Sequence, residues 1–221
     1  MYKSIRLALL GLALSGCTIV NPGVGQLSGS GKVTTETREV GAFTAINVSG
    51  MGEVVITQGA ADGLTVETDD NLQAIMLSEV RGDTLYLGEQ PNLGFSNATR
   101  VTFTVMVNNL KAITLAGAAR ISAHDLRSDT LTVAHSGAGT VTTAGTVVEQ
   151  RVTLSGAGSY DGAALTSDRA TVDLSGLGSV VVQVRQRLDA TISGAGSVVY
   201  IGSPEVHKQF SDLGSIRQRA P

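Results

Sequence analysis

The sequence predicts an all-β fold, a parallel β-helix (solenoid) with short-strand coils of about 18–20 residues. Three observations carry this reading. A short glycine phrase recurs: "LSGSGKV" from Leu27, "VSGMGEV" from Val48, "LAGAARI" from Leu115, "HSGAGTV" from His135, "LSGAGSY" from Leu154, "LSGLGSV" from Leu174 and "ISGAGSV" from Ile192. A worn copy, "FSDLGSI", starts at Phe210. The first glycine of the phrase steps from Gly117 to Gly137, Gly156, Gly176 and Gly194, at intervals of 20, 19, 20 and 18 residues, with Asp212 in the slot of the worn copy. Around the phrase, residues alternate apolar and polar, as in strands with one face in and one face out.

Aligning the copies gives the phase. Leu115, His135, Leu154, Leu174, Ile192 and Phe210 form one inward column, and Ile113, Val133, Val152, Val172 and Ala190 a second. Thr114, Ala134, Thr153, Asp173 and Thr191 lie between them and point out. After the phrase comes a third inward column: Ile121, Val141, Tyr160, Val180, Val198 and Ile216. Between these columns the chain must turn a corner. Glycine permits positive φ, so Gly156 and Gly176 are expected in that conformation. Ala138, Ala157 and Ala195 are expected to fill a crowded interior, and Ser136, Ser155, Ser175 and Ser193 to stack as a hydroxyl ladder. His135 is the odd letter in its column. It is read as a neutral imidazole bonded to a backbone carbonyl or a corner Ser, or else as a buried ligand or pH-sensing group. Each phrase leads into a strand and not a helix, which excludes a dinucleotide-binding loop.

The N-terminus has a different character. Residues 1–16 carry Lys3 and Arg6, then the apolar run "LALLGLAL", the layout of an export signal. The segment "LSGC" ending at Cys17 resembles a bacterial lipobox, which implies lipidation of Cys17 and attachment to the membrane through its acyl chains. Thr18, rather than Asp, follows it, the outer-membrane pattern of a Gram-negative cell. Cys17 is the only Cys, so no disulfide is expected. Residues 17–38 read as lipidated Cys and flexible tether, and 39–221 as the folded domain. Within it, 39–110 is an irregular strand-rich half and 111–221 the regular coils. Asn71 to Val80 reads as strand or loop.

The opening "FTAINVSGMGEVVITQG", the entry "LKAITLAGAARI" and the ending "GAGSVVYIGSPEVHKQFSDLGSIRQ" together resemble the head GIN domain family, a domain of unknown function labelled as an autotransporter adhesin head. The resemblance covers about Val40 to Arg217. It implies a right-handed parallel β-helix and brings no catalytic residues with it.

Composition narrows the function. The net charge is −3 with no basic run in the body of the chain, so nucleic acid is not an expected partner. Aromatics are 4% and Trp is absent, which weighs against stacking platforms for sugars. The acids and bases a β-helix enzyme would need, Asp125, Asp161, Asp168, Asp173, Arg185 and Asp189, share no offset in adjacent coils. His124, His135 and His207 do not make a metal set, and Asp69-Asp70 reads as a turn. No catalytic residue, cofactor or metal is expected. The reading is a non-catalytic, membrane-anchored outer-membrane lipoprotein, adhesin-like, with a glycan or protein ligand. The alternative is a carbohydrate-active β-helix enzyme. A structural role in assembly, as a homo-oligomer pairing through the solenoid's open ends, is a third class.

Overall fold

The structure is a computed structural model that describes residues 25–210 and 213–220. The segment read as an export signal, Cys17 and Asp212 fall outside the described residues. The first strands are β1 (Gly25–Ser28), β2 (Val33–Arg38), β3 (Ala45–Val48), β4 (Glu53–Gln58) and β5 (Gly63–Asp69). A 3-10 turn, Gln73–Ile75, precedes β6 (Met76–Arg81), β7 (Thr84–Glu89), β8 (Leu93–Ser96), β9 (Val101–Val107) and β10 (Ala112–Leu115). The long strands follow: β11 (Arg120–His135), β12 (Thr140–Leu154), β13 (Ser159–Leu174) and β14 (Ser179–Ile192). The chain ends with β15 (Ser197–Ile201), β16 (Glu205–Phe210) and β17 (Ser215–Arg219).

The fold is a β-solenoid of about five turns. Strands β10 to β15 pair in parallel with their sequence neighbours, and β16 and β17 stack on β14 and β15. The register matches the columns read from the sequence: Leu115 lies beside His135, His135 beside Leu154, Leu154 beside Leu174, and Leu174 beside Ile192. The columns run further back than the regular repeat. Val48 of β3 lies beside Leu115, and Leu87 of β7 beside Val48. The third column likewise begins at Phe103 and Val54 before Ile121. Every residue of these columns from Leu87 to Ile192 is buried. Full burial of one such Leu or Val contributes roughly 1.5–3 kcal/mol before entropy is counted, so a lone coil cannot hold its shape but a stack can.

Antiparallel strands close the N-terminal end. β6 pairs with β7, while β5 pairs with β9 and β2 with β5, so the edge of the first coil is covered. Residues 25–38, read from sequence as tether, therefore belong to the fold as β1 and β2. The cause is Asp69. Its carboxylate is fully buried and accepts hydrogen bonds from the Gly31 N–H at 2.7 Å, the Thr99 N–H at 2.7 Å and the Thr99 hydroxyl at 2.9 Å. Burial alone would raise its pKa, but these bonds win and hold it below the usual carboxylate value. The acidic pair is thus a clamp on the link between β1 and β2. The Asn71 to Val80 segment resolves into the 3-10 turn and β6.

The corners differ from expectation in two ways. Positive φ occurs at Gly31, Gly52, Gly82, Gly88, Gly145 and Gly202, and not at Gly156 or Gly176. Their glycines answer to close backbone stacking. A Cβ on Gly156 would run into the carbonyl oxygen of Gly137, and one on Gly176 into that of Gly156. The corner backbones form a ladder, with Ala138 N–H donating to Gly117 O, Ala157 N–H to Gly137 O and Leu177 N–H to Gly156 O, each at 3.2 Å. Second, Ala138, Ala157 and Ala195 are exposed, not interior. Between two inward-turned glycines, the middle residue can only point out. Its column continues through Met51, Ala118, Leu177 and Leu213. The four corner serines are exposed beside it.

The interior also holds a polar chain. The Tyr160 hydroxyl lies 2.8 Å from Thr143 Oγ1 and donates to Gln150 Oε1 at 3.1 Å; Gln150 Nε2 donates to Ser167 Oγ at 2.7 Å, and Ser167 Oγ to the Gln183 carbonyl at 3.1 Å. All four side chains are buried, and burial raises the Tyr160 pKa. Tyr160→Phe is expected to cost about 1–3 kcal/mol, because it strands Thr143 and Gln150 Oε1 without their partner. Urea unfolding of the two proteins checks it, and equal midpoints would show that the chain adds nothing.

Candidate binding groove

A groove of about 760 Å³ lies along one edge of the solenoid, at the bend in β11. Its walls come from the ends of β4 and β9, the start of β10 and the bend itself. The bend exists because Asp125 adopts a left-handed φ of 59° and the pairing of β11 with β12 slips between Ala123 and Leu126. Asp is one of the few non-glycine residues that accept this conformation readily.

Gln58 fixes the groove's geometry. Its Nε2 donates to the Asn108 carbonyl at 3.1 Å and to the Arg127 carbonyl at 2.9 Å, and its Oε1 accepts from the Arg127 N–H at 2.9 Å. One side chain thus ties β4, β9 and β11 together. Asn108 is held in turn: its N–H donates to Asp62 Oδ1 at 2.8 Å and its side-chain amide to the Ala60 carbonyl at 3.1 Å. On this fixed frame stand Lys111 and Arg127, both exposed and neither in an ion pair with another described residue. Asn109, Asp129, Thr130 and Thr132 complete the lining. The groove continues over the next coils as a shallower depression beside Val148, Asp168 and Arg185, where Arg185 and Asp168 pair at 3.8 Å. Charges of both signs, amides and hydroxyls suit it to hydrogen-bond a polar chain.

Of the residues weighed from the sequence for chemistry, the structure brings Asp168 and Arg185 together beside the groove and leaves the others apart. Asp189 takes both guanidinium contacts of Arg187, at 2.8 and 2.9 Å; that hydrogen-bonded arginine holds its pKa below the usual value. Asp161 accepts from the Ala163 N–H at 3.0 Å. Asp125 sits on the bend and Asp173 is exposed on an outer strand face. His124 is exposed, and His207 Nε2 lies 2.8 Å from Glu205 Oε1. Among the described residues no group of three His, Cys, Asp or Glu side chains is placed to hold a metal. His135 is 1% exposed, and neither ring nitrogen has a hydrogen-bond partner among the described residues. The expected bond to a carbonyl or corner Ser is not made; the ring lies under Gly158 of the next corner, in the space a Cβ there would take. Burial lowers its pKa. Sequence reading named Asp125, Asp168 and Arg185 but missed the groove's deep part. Gln58, Asn108, Lys111 and Arg127 are scattered along the chain and share no motif.

Solved structures show the same architecture. A "putative adhesin" from Bacteroides fragilis NCTC 9343 is 21% identical, with a TM-score of 0.69, covering 87% of this chain and 100% of that one. A "putative lipid binding protein" from Parabacteroides distasonis ATCC 8503 is 21% identical, with a TM-score of 0.57 and coverage of 88% and 99%. A "putative adhesin" from Parabacteroides merdae ATCC 43184 is 18% identical, with a TM-score of 0.55 and coverage of 88% and 99%. At these identities the likeness speaks for the fold. No curated protein matches the chain. The family model described as "Putative auto-transporter adhesin, head GIN domain" matches residues 42–204, and the chain belongs to that family.

Proposed function

We propose that the protein is a non-catalytic, membrane-anchored envelope lipoprotein that binds a polar ligand, a glycan or a polypeptide segment, in an adhesin-like role. The observation that carries this reading is the groove: Lys111 and Arg127, free of ion pairs among the described residues, stand on a frame locked by Gln58 and Asn108. A preformed site of this kind spends little ordering entropy on binding. The dispersal of the acids into separate arginine pairs and turns favours binding over sugar-bond chemistry, which needs two carboxyls facing one bond. The test is a binding screen of the purified protein against envelope glycans and host matrix proteins, run beside Lys111→Ala/Arg127→Ala. The double variant is expected to bind any captured ligand about tenfold or more weakly. Undiminished binding would move the site elsewhere.

The anchor in this proposal is Cys17. Wild type is expected to incorporate a labelled fatty acid, and Cys17→Ser to lose both the label and membrane retention. If wild type takes up no label, the lipoprotein reading fails.

A further inference from the structure

We infer that the glycine corners form a membrane-contact ridge, so that the solenoid lies lengthwise on the phospholipid bilayer that anchors it. The middle corner residues form one column down the whole stack, and its large members stand out of the protein. Met51 is 51% exposed, Leu177 73% and Leu213 78%, the three highest values among the large exposed hydrophobics of the described residues. The other large exposed hydrophobics among the described residues are at most 48% exposed. The other places in the column are the four corner alanines. The positions on either side hold Ser or Thr in the four coils from Ala138 to Ala195, Ser136 and Thr140, Ser155 and Ser159, Ser175 and Ser179, Ser193 and Ser197, while Ala116 and Arg120 flank Ala118, and Ser49 and Glu53 flank Met51. From Ala138 to Ala195 the tips between hydroxyls match the acyl–headgroup boundary, where apolar side chains sink several ångströms and hydroxyls meet headgroups, while Glu53 and Arg120 bring one charge of each sign to the first two coils.

The position of the anchor names the occupant, and here the inference rests on the lipoprotein reading. β1 pairs with β8, which starts four residues beyond Glu89. Glu89 lies against the first corner of the ridge: the Met51 N–H donates to its Oε1 at 3.4 Å. The described chain therefore starts next to Leu93, within roughly 14 Å along the chain of the residue that touches the ridge's first apolar tip. From Cys17 to Gly25 the backbone reaches at most roughly 28 Å. The ridge itself, six coil steps from Met51 to Leu213, is about 29 Å long. Acylation of Cys17 would hold the domain near a lipid surface on a tether long enough for the ridge to lie down on it. The groove at the β11 bend is separated from the corner by the stretch Thr130 to His135, roughly 17 Å of strand.

The absence of native Trp makes the test clean. The full chain is prepared with one reporter at a time: Leu177→Trp, Leu213→Trp, or Met106→Trp as the control on β9, where Met106 is 48% exposed. Each is mixed with vesicles of phosphatidylethanolamine and phosphatidylglycerol carrying brominated acyl chains. The reporters at 177 and 213 are expected to shift to the blue and to be quenched about threefold or more above the one at 106. Equal quenching at all three positions overturns the inference, as does none at 177 and 213, or no vesicle binding at all. A blue shift that appears without vesicles and grows with protein concentration also overturns it, in favour of a second copy of the chain on the ridge. Mass analysis of Cys17 in the same samples tests the anchor separately. Ridge-specific quenching without acylation would sink the lipoprotein reading and leave the membrane contact standing.

Discussion

Gly156→Val and Gly176→Val are each expected to destabilise the protein by about 3 kcal/mol or more, while Ala157→Val, one residue from Gly156, changes stability by less than about 0.5 kcal/mol. The difference lies in which way each Cα faces. At Gly156 the added Cβ meets the carbonyl oxygen of Gly137, and at Gly176 that of Gly156. Backbone cannot rotate aside as a side chain can, so the coil above must lift. Lifting stretches the corner bonds from Ala157 N–H to Gly137 O and from Leu177 N–H to Gly156 O. It also opens the packing between Leu154 and Leu174, neighbours in the same column. Ala157 points to solvent, and extra methyls there can turn outward beside Leu177 instead of meeting backbone. Thermal or urea unfolding of the three variants is the measurement. A Gly156→Val protein as stable as wild type would show that the coils are spaced more loosely than the ladder bonds require.

The same corners show where sequence reading succeeds and where it stops. The columns were legible because two periods agree, two residues along a strand and about twenty along the chain, so Val133, Val152 and Val172 could only stack. The need for glycine was legible too, but not its cause. Positive φ and backbone crowding both demand the loss of Cβ, and one letter cannot separate them. Alanine in the middle slot was equally ambiguous, since it fits a tight interior and an open surface alike. The deciding letters were Leu177 and Leu213, too bulky for a crowded interior, in the slot that Ala138 and Ala157 fill elsewhere. Tyr160 was placed in its column correctly. Its partners Gln150 and Ser167 belong to the other side of the coil, where register slips between β12, β13 and β14 break the repeat. The groove was hidden for a related reason. It is assembled where the irregular first coils meet the regular ones, so no periodicity passes through it.

His135→Leu is expected to stabilise the protein at every pH from 5 to 8, by about 1–2 kcal/mol at pH 8 and by more in acid. The packing argument comes from its column. Leu115 lies under Gly139, Leu154 under Gly178 and Leu174 under Gly196, each with its side chain in the space a Cβ would have taken. His135 uses the same space under Gly158. A Leu there follows the pattern of its neighbours and needs no new room. It also removes two buried ring nitrogens that have no hydrogen-bond partner among the described residues. The pH dependence follows from burial, which lowers the folded pKa of His135 below the ordinary 6.5. Below about pH 6.5 the unfolded chain takes up a proton that the folded chain refuses. Stability therefore falls as the pH drops, by at most about 1.4 kcal/mol per unit, until the lower folded pKa is reached. This contribution is absent above pH 6.5 and absent from the Leu variant throughout. Melting temperatures of the two proteins should accordingly run parallel from pH 8 to about 7 and diverge below 6.5, wild type falling faster. Curves parallel down to pH 5 would mean that the imidazole finds a proton partner or water inside the coil.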